Sequence, residues 1–176
     1  MQIPSLILSI ILSYILLAFV IPYIILPDYL IPKPKTRITN PGLKAKIKEL
    51  SKIKPKEKFL KSVFLFVAKK YDSSQNPLTF ISHLPRLFWH NPNKLFDKSG
   101  FAYCHSQNLM IETILLESKC FKKEDIKKKI VIFNPVIHQY LLVKINGKSI
   151  ELDPWAYHNG IPYGKHENWL NFFSYR

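Results

Sequence analysis

Asn146-Gly147 constrains the fold of this chain more than any other pair of residues. Both residues tolerate the positive φ that a two-residue hairpin turn demands, and strand-forming runs flank them over 138–145 and 149–155. With a two-residue loop, Ile145 faces Lys148, and counting outward pairs Tyr140 with Asp153 and His138 with Trp155. His138 and Asp153 then share one face of the sheet as diagonal neighbours, about 7–8 Å apart at the backbone and within reach of each other's side chains. A loop one residue longer would put them on opposite faces. A further strand over 130–133 precedes the hairpin.

The stretch 99–118 changes character at Cys104. Gly100 interrupts whatever comes before, and beyond Cys104 the apolar residues Met110, Ile111, Ile114 and Leu115 recur at helical spacing. A thiol in the first turn of a helix meets unpaired N–H groups and the positive end of the dipole, which shift it toward thiolate. Cys104, His138 and Asp153 thus supply a nucleophile, a base and an orienter, and triads of this kind do not need neighbours in sequence.

Three short motifs carry a resemblance. They are Tyr-Cys-His-Ser-Gln at 103–107, Ile-His-Gln-Tyr-Leu-Leu-Val at 137–143 and Ile-Glu-Leu-Asp-Pro-Trp at 150–155. In that order they resemble the transglutaminase-like superfamily of papain-type thiol enzymes: a cysteine heading a core helix, a histidine beginning a strand, and an aspartate ending the next strand before proline. The likeness is specific over 99–156 and extends more weakly to Phe59, where 59–71 resembles the helix that precedes the cysteine region. It implies an α+β domain whose core helix packs on an antiparallel sheet, with Cys104 as nucleophile, His138 as general base and acid, and Asp153 as orienter. It also implies a protein or peptide amide as substrate and no cofactor. Gln139 and Tyr140 replace the small residue and tryptophan that often follow the histidine, and His105 replaces the tryptophan that commonly follows the cysteine. The backbone N–H of Cys104 is the expected oxyanion donor, and a second donor is not identified by sequence.

Competing readings are plainer. A lone helical cysteine is commonly a small buried hydrophobe, and a strand histidine is commonly structural. A member that keeps the triad but only binds a peptide or protein partner is the alternative function. Cys120, in Lys-Cys-Phe-Lys-Lys, reads as a structural thiol, and two cysteines make no disulfide framework. Zinc held by Cys104, His105, Cys120 and His138 would be reasonable in ligand type, yet paired Cys-x-x-Cys or His-x-x-x-His spacing is missing, so no metal is expected.

At the front, residues 3–26 are uncharged and rich in Leu, Ile, Val, Phe and Tyr, a length that at 1.5 Å per residue could cross a ~30 Å hydrocarbon core. The sequence therefore predicts a retained transmembrane helix, since a basic n-region and an Ala-x-Ala cleavage site are both missing. Lys33, Lys35, Arg37, Lys44, Lys46 and Lys48 follow it, which places the domain in the cytoplasm by the positive-inside rule and suits contact with anionic headgroups. The expected organisation is an anchor over 1–31, a Pro/Lys-rich linker over 32–42 and one catalytic domain over 43–176. Within it, helices are expected over 43–53 and 55–70, a turn over 72–76, irregular aromatic chain over 77–99, and a short helix from Lys165 in the aromatic tail.

The net charge of +14 invites a nucleic-acid reading. Aromatic residues are not interleaved with the basic runs, however, and no nucleic-acid motif is present, so nucleic acid is not an expected partner.

Overall fold

A computed structural model of the chain describes residues 3–16, 20, 36–73, 76–133 and 136–167. Helix α1 (Ile3–Ile15) is 13 residues long, about 20 Å at the α-helical rise, well short of a hydrocarbon core. Among the described residues no helix is long and apolar enough to cross a membrane. The expected single-pass span over 3–26, and with it the cytoplasmic placement inferred from its flanking lysines, is therefore corrected. The linker prolines Pro32 and Pro34 and the tail beyond Glu167 lie outside the described residues.

Asn-Pro and Asp-Pro steps start most of the short helices, because the side-chain oxygen caps an orphan N–H while proline presets the first helical φ. Asn40 caps α2 (Pro41–Leu50), accepting from Leu43 N–H at 3.0 Å. Its Leu43, Ile47 and Leu50 fall on one buried face. Helix α3 (Lys56–Lys70) buries Phe59, Leu60, Val63, Phe64, Val67 and Ala68 and runs directly into β1 (Tyr71–Asp72). Asn76 and Asn91 then cap α4 (Pro77–Ser82) and α5 (Pro92–Phe96), with a 3-10 turn over Leu84–Phe88 between them. The stretch expected to be irregular is thus built of short capped helices.

Strand β2 (Gly100–Phe101) pairs in parallel with β1 and delivers the chain to α6 (Cys104–Glu117). Met110, Ile111, Ile114 and Leu115 of α6 are fully buried against α3 and the sheet, as their spacing predicts. Each such aliphatic side chain contributes about 1.5–3 kcal/mol of burial.

The sheet is antiparallel in the order β3 (Ile126–Phe133), β4 (Val136–Ile145), β5 (Lys148–Leu152). Asn146 at φ 50° and Gly147 at φ 76° make the two-residue turn, and the register runs from Ile145 opposite Lys148 to Leu141 opposite Leu152, as counted from the sequence. Leu141, Val143, Ile145 and Leu152 join the core. β3 begins four residues earlier than the apolar run suggests. Lys127 and Lys129 stay exposed on this edge strand, and Lys128 reaches Glu112 of α6 at 3.2 Å. β5 ends at Leu152, three residues before its expected limit, because Asp153-Pro154 opens helix α7 (Pro154–Tyr157). The chain is a mixed α/β fold with a small antiparallel sheet.

Candidate active site

The approach to Cys104 is fixed from three sides. Ala102 N–H donates to Asp72 O at 3.0 Å, and the buried Gln107 amide donates to Ala102 O at 2.9 Å, tying the head of α6 to the β1–β2 bridge. Tyr103, extended at φ −68° and ψ 157°, is the N-cap, and its carbonyl accepts from Ser106 and Gln107 N–H. His105 Nε2–H donates to Leu87 O at 2.9 Å, Ser106 Oγ–H to Trp89 O at 3.1 Å, and Arg86 Nη1–H to Phe101 O at 2.7 Å. The 3-10 turn thus braces the residues on both sides of the thiol.

His138 enters from β4. Its Nε2–H donates to Asp153 Oδ2 at 2.6 Å, with both side chains buried. Asp153 also accepts Ala156 N–H on Oδ1 at 3.1 Å and Glu167 N–H on Oδ2 at 3.0 Å, so orienting the imidazole and capping α7 fall to one carboxylate. The remaining ring nitrogen of His138, Nδ1, is the one available to the Cys104 side chain, to which the ring is hydrogen-bonded. Trp155 packs on Cys104 and lies 5.4 Å from the His138 ring.

One turn beyond Cys104, on the same helix face, Asn108 donates from Nδ2 to Gln139 O at 2.7 Å. That bond locks the helix carrying the thiol to the strand residue next to the imidazole, within a wholly buried setting. Sequence reasoning passed over Asn108, Gln107, Trp155 and Glu167. The signal for Asn108 was its i, i+4 spacing from the cysteine, which sets a polar side chain directly above the thiol.

Burial alone would push the Cys104 thiol up. Hydrogen bonds from His105 and His138, and the positive charge of the imidazoles, outweigh it and bring the thiol down to about 5. Burial likewise opposes a charged His138, but the Asp153 carboxylate next to it, and then the thiolate, hold the ring well above the ordinary histidine value. At neutral pH the arrangement is a thiolate–imidazolium pair, the charge state that favours attack on an electrophilic carbon.

Cys104, His138 and Asp153 are therefore brought together, as the hairpin register requires. Cys120 is not among them: it lies beyond the far end of α6, on the order of 20 Å away by helix length. Neither cysteine forms a disulfide. Among the described residues no group of three or more His, Cys, Asp or Glu is placed to hold a metal ion. Comparison with protein-family models, with curated proteins and with solved structures finds no match to this chain.

Proposed function

We propose that this chain is a thiol enzyme of transglutaminase-like type that forms an acyl-thioester on Cys104 from an amide or peptide carbonyl and releases it by hydrolysis. The observation that carries this reading is a thiol at a helix head, hydrogen-bonded to an imidazole that a buried carboxylate holds at 2.6 Å. The thiolate sulfur attacks the carbonyl carbon, and the Cys104 N–H at the start of α6 stabilises the oxyanion, a donor worth on the order of 3 kcal/mol. The C–N bond breaks as His138 Nδ1 gives its proton to the leaving nitrogen. Water then attacks the thioester while His138 takes its proton, the carboxylic acid departs, and the thiol is restored. An amine in place of water would make the same site an acyltransferase.

A second reading, a silent relative that binds a peptide or protein partner, is favoured by one observation: Cys104 is only 9% exposed and His138 only 3%. Limiting iodoacetamide at about pH 6 separates the two, because an unperturbed thiol is almost wholly protonated there. Selective modification of Cys104 over the more exposed Cys120, mapped by mass spectrometry on the full-length chain, supports the enzyme. Equal or lower reactivity at Cys104 favours the binding module.

A further inference from the structure

Beyond α7 the chain turns back and lies over the hairpin face that carries His138 and Asp153. Tyr140 stands two residues after His138 on β4, and Glu151 two residues before Asp153 on β5, so in the observed register all four side chains share that face. Gly164 bridges Glu151 in the antiparallel sense. Two residues further on, the His166 ring lies flat on the Tyr140 ring, 4.0 Å between centroids and 7° between planes, and Glu151 Oε2 accepts from His166 Nδ1–H at 2.8 Å. Glu167 follows, buried, and its N–H donates at 3.0 Å to Asp153 Oδ2, the oxygen that also accepts from His138. Asn159 Nδ2–H donates to Glu167 Oε2 at 3.2 Å and closes the strap from the α7 side.

None of these contacts involves a reacting atom, yet they converge on one backbone donor. The Glu167 N–H belongs to the peptide plane that begins at the His166 Cα, so a ring seated on Tyr140 and Glu151 fixes where that N–H points. An N–H donated to a carboxylate favours its charged form, and a second donor on Oδ2 keeps that oxygen from turning away from the imidazole.

We propose that His166 is a positioning residue of the thiol site: seated on Tyr140 and Glu151, it places the Glu167 N–H on the Asp153 oxygen that orients His138. This inference rests on the proposed thiol chemistry. His166 acts through Asp153 and then through His138, and it touches neither the thiol nor the substrate. A clasp that only stabilised the fold would need the ring stack and the Glu151 contact alone; the bond from Glu167 to Oδ2 carries its effect into the site.

The test is the rate of iodoacetamide alkylation of Cys104 against pH, on the full-length chain carrying Cys120→Ser, read well below the melting temperature of each variant. His166→Ala removes both seats of the ring. It should move the acid-side inflection upward by about 0.5 to 1 pH unit and slow alkylation below the inflection by roughly three- to tenfold, the scale of one hydrogen bond. His166→Phe keeps a ring to lie on Tyr140 and should fall between His166→Ala and the parent. Because His166 acts through Asp153, adding His166→Ala to Asp153→Asn should slow alkylation no further than Asp153→Asn alone, whereas independent effects would multiply. A His166→Ala profile superimposable on the parent would overturn the proposal even with a lowered Tm, because the ring then only stabilises the fold. A Phe variant no faster than the Ala variant, or losses that multiply in the double variant, would overturn it as well. If His166→Ala does not fold, His166→Phe against the parent, alone and on Asp153→Asn, decides by the same criteria. A parent inflection at the ordinary cysteine value of about 8.5 would instead sink the thiol-enzyme reading itself.

Discussion

His138 and Asp153 meet at 2.6 Å across the β4–β5 hairpin, and the same carboxylate caps the helix that follows the hairpin. The two oxygens divide the work: Oδ1 accepts from Ala156, while Oδ2 accepts from His138 and Glu167. Orientation of the imidazole is thereby built into the folding of α7 and the chain up to Glu167.

Asp153→Asn should separate these roles. Asparagine is as good an N-cap as aspartate, so its oxygen can serve Ala156 N–H. Its NH2 group would then face two donors, His138 Nε2–H and Glu167 N–H. The imidazole escapes by moving its hydrogen to Nδ1, where it can no longer accept the thiol proton. Alkylation of Cys104 at about pH 6 should fall by roughly 10- to 100-fold, and turnover of an amide substrate by about 10⁴-fold, the scale of the same change in other triads. Equal rates in Asn and parent would show that the carboxylate is only a cap.

The pH dependence of Cys104 follows from the direction of its shift. Burial raises the thiol, and the two imidazoles more than offset it, leaving an inflection at about 5. Above that value the thiolate is present and the alkylation rate is flat; below it the sulfur is protonated and the rate falls about tenfold per pH unit. An unperturbed cysteine would still be climbing up to about pH 8.5. A rate that rises throughout the range of about pH 6–8 would show that the ion pair does not form.

Where residue pattern and physics coincide, the fold was legible in the sequence. Asn146-Gly147 specified the turn, the turn specified the register, and the register brought His138 and Asp153 to one place. The α6 boundary at Cys104 was equally plain, since Met110, Ile111, Ile114 and Leu115 face one core. Short helices over 77–96 were missed because their apolar periodicity is too brief to register, although each begins at an Asn-Pro step. Apolar composition over residues 3–26 predicts a membrane span, whereas the described helix there covers Ile3–Ile15 and is not long enough for one. In the sequence His105 stands out as a departure from a pattern and as one member of an unpaired zinc-ligand set. Its hydrogen bond to the Leu87 carbonyl, 18 residues earlier in the chain, is one that no local motif reveals.

Asn108 offers a test of how the thiol and imidazole are held in register. Asn108→Leu preserves volume but leaves the buried Gln139 carbonyl without its 2.7 Å donor, which should cost about 1–3 kcal/mol. The loss falls between α6 and β4, so Cys104 alkylation at about pH 6 should drop along with the melting temperature. Destabilisation with an unchanged alkylation profile would mean that the other contacts of α6 position the thiol unaided.

Gly147→Ala should give the opposite separation. Gly147 sits at φ 76°, and a Cβ built there meets nothing within 4 Å, so the cost is torsional and not steric crowding by neighbours. A left-handed position charges an L-residue about 1–2 kcal/mol, equivalent to a fall in Tm of a few degrees for a domain of this size. The cross-strand pairs from Ile145–Lys148 to Leu141–Leu152 pin the register independently of the turn, because a one-residue slip would turn Leu141, Val143 and Leu152 out of the core. His138 and Asp153 should therefore keep their contact, and the alkylation inflection of Cys104 should stay near 5. Differential scanning calorimetry and the alkylation profile read the two effects separately. A lowered Tm with an intact inflection is the expected pair; an inflection that moves to the ordinary cysteine range would show that the turn itself, and not the strand pairing, keeps the two side chains together.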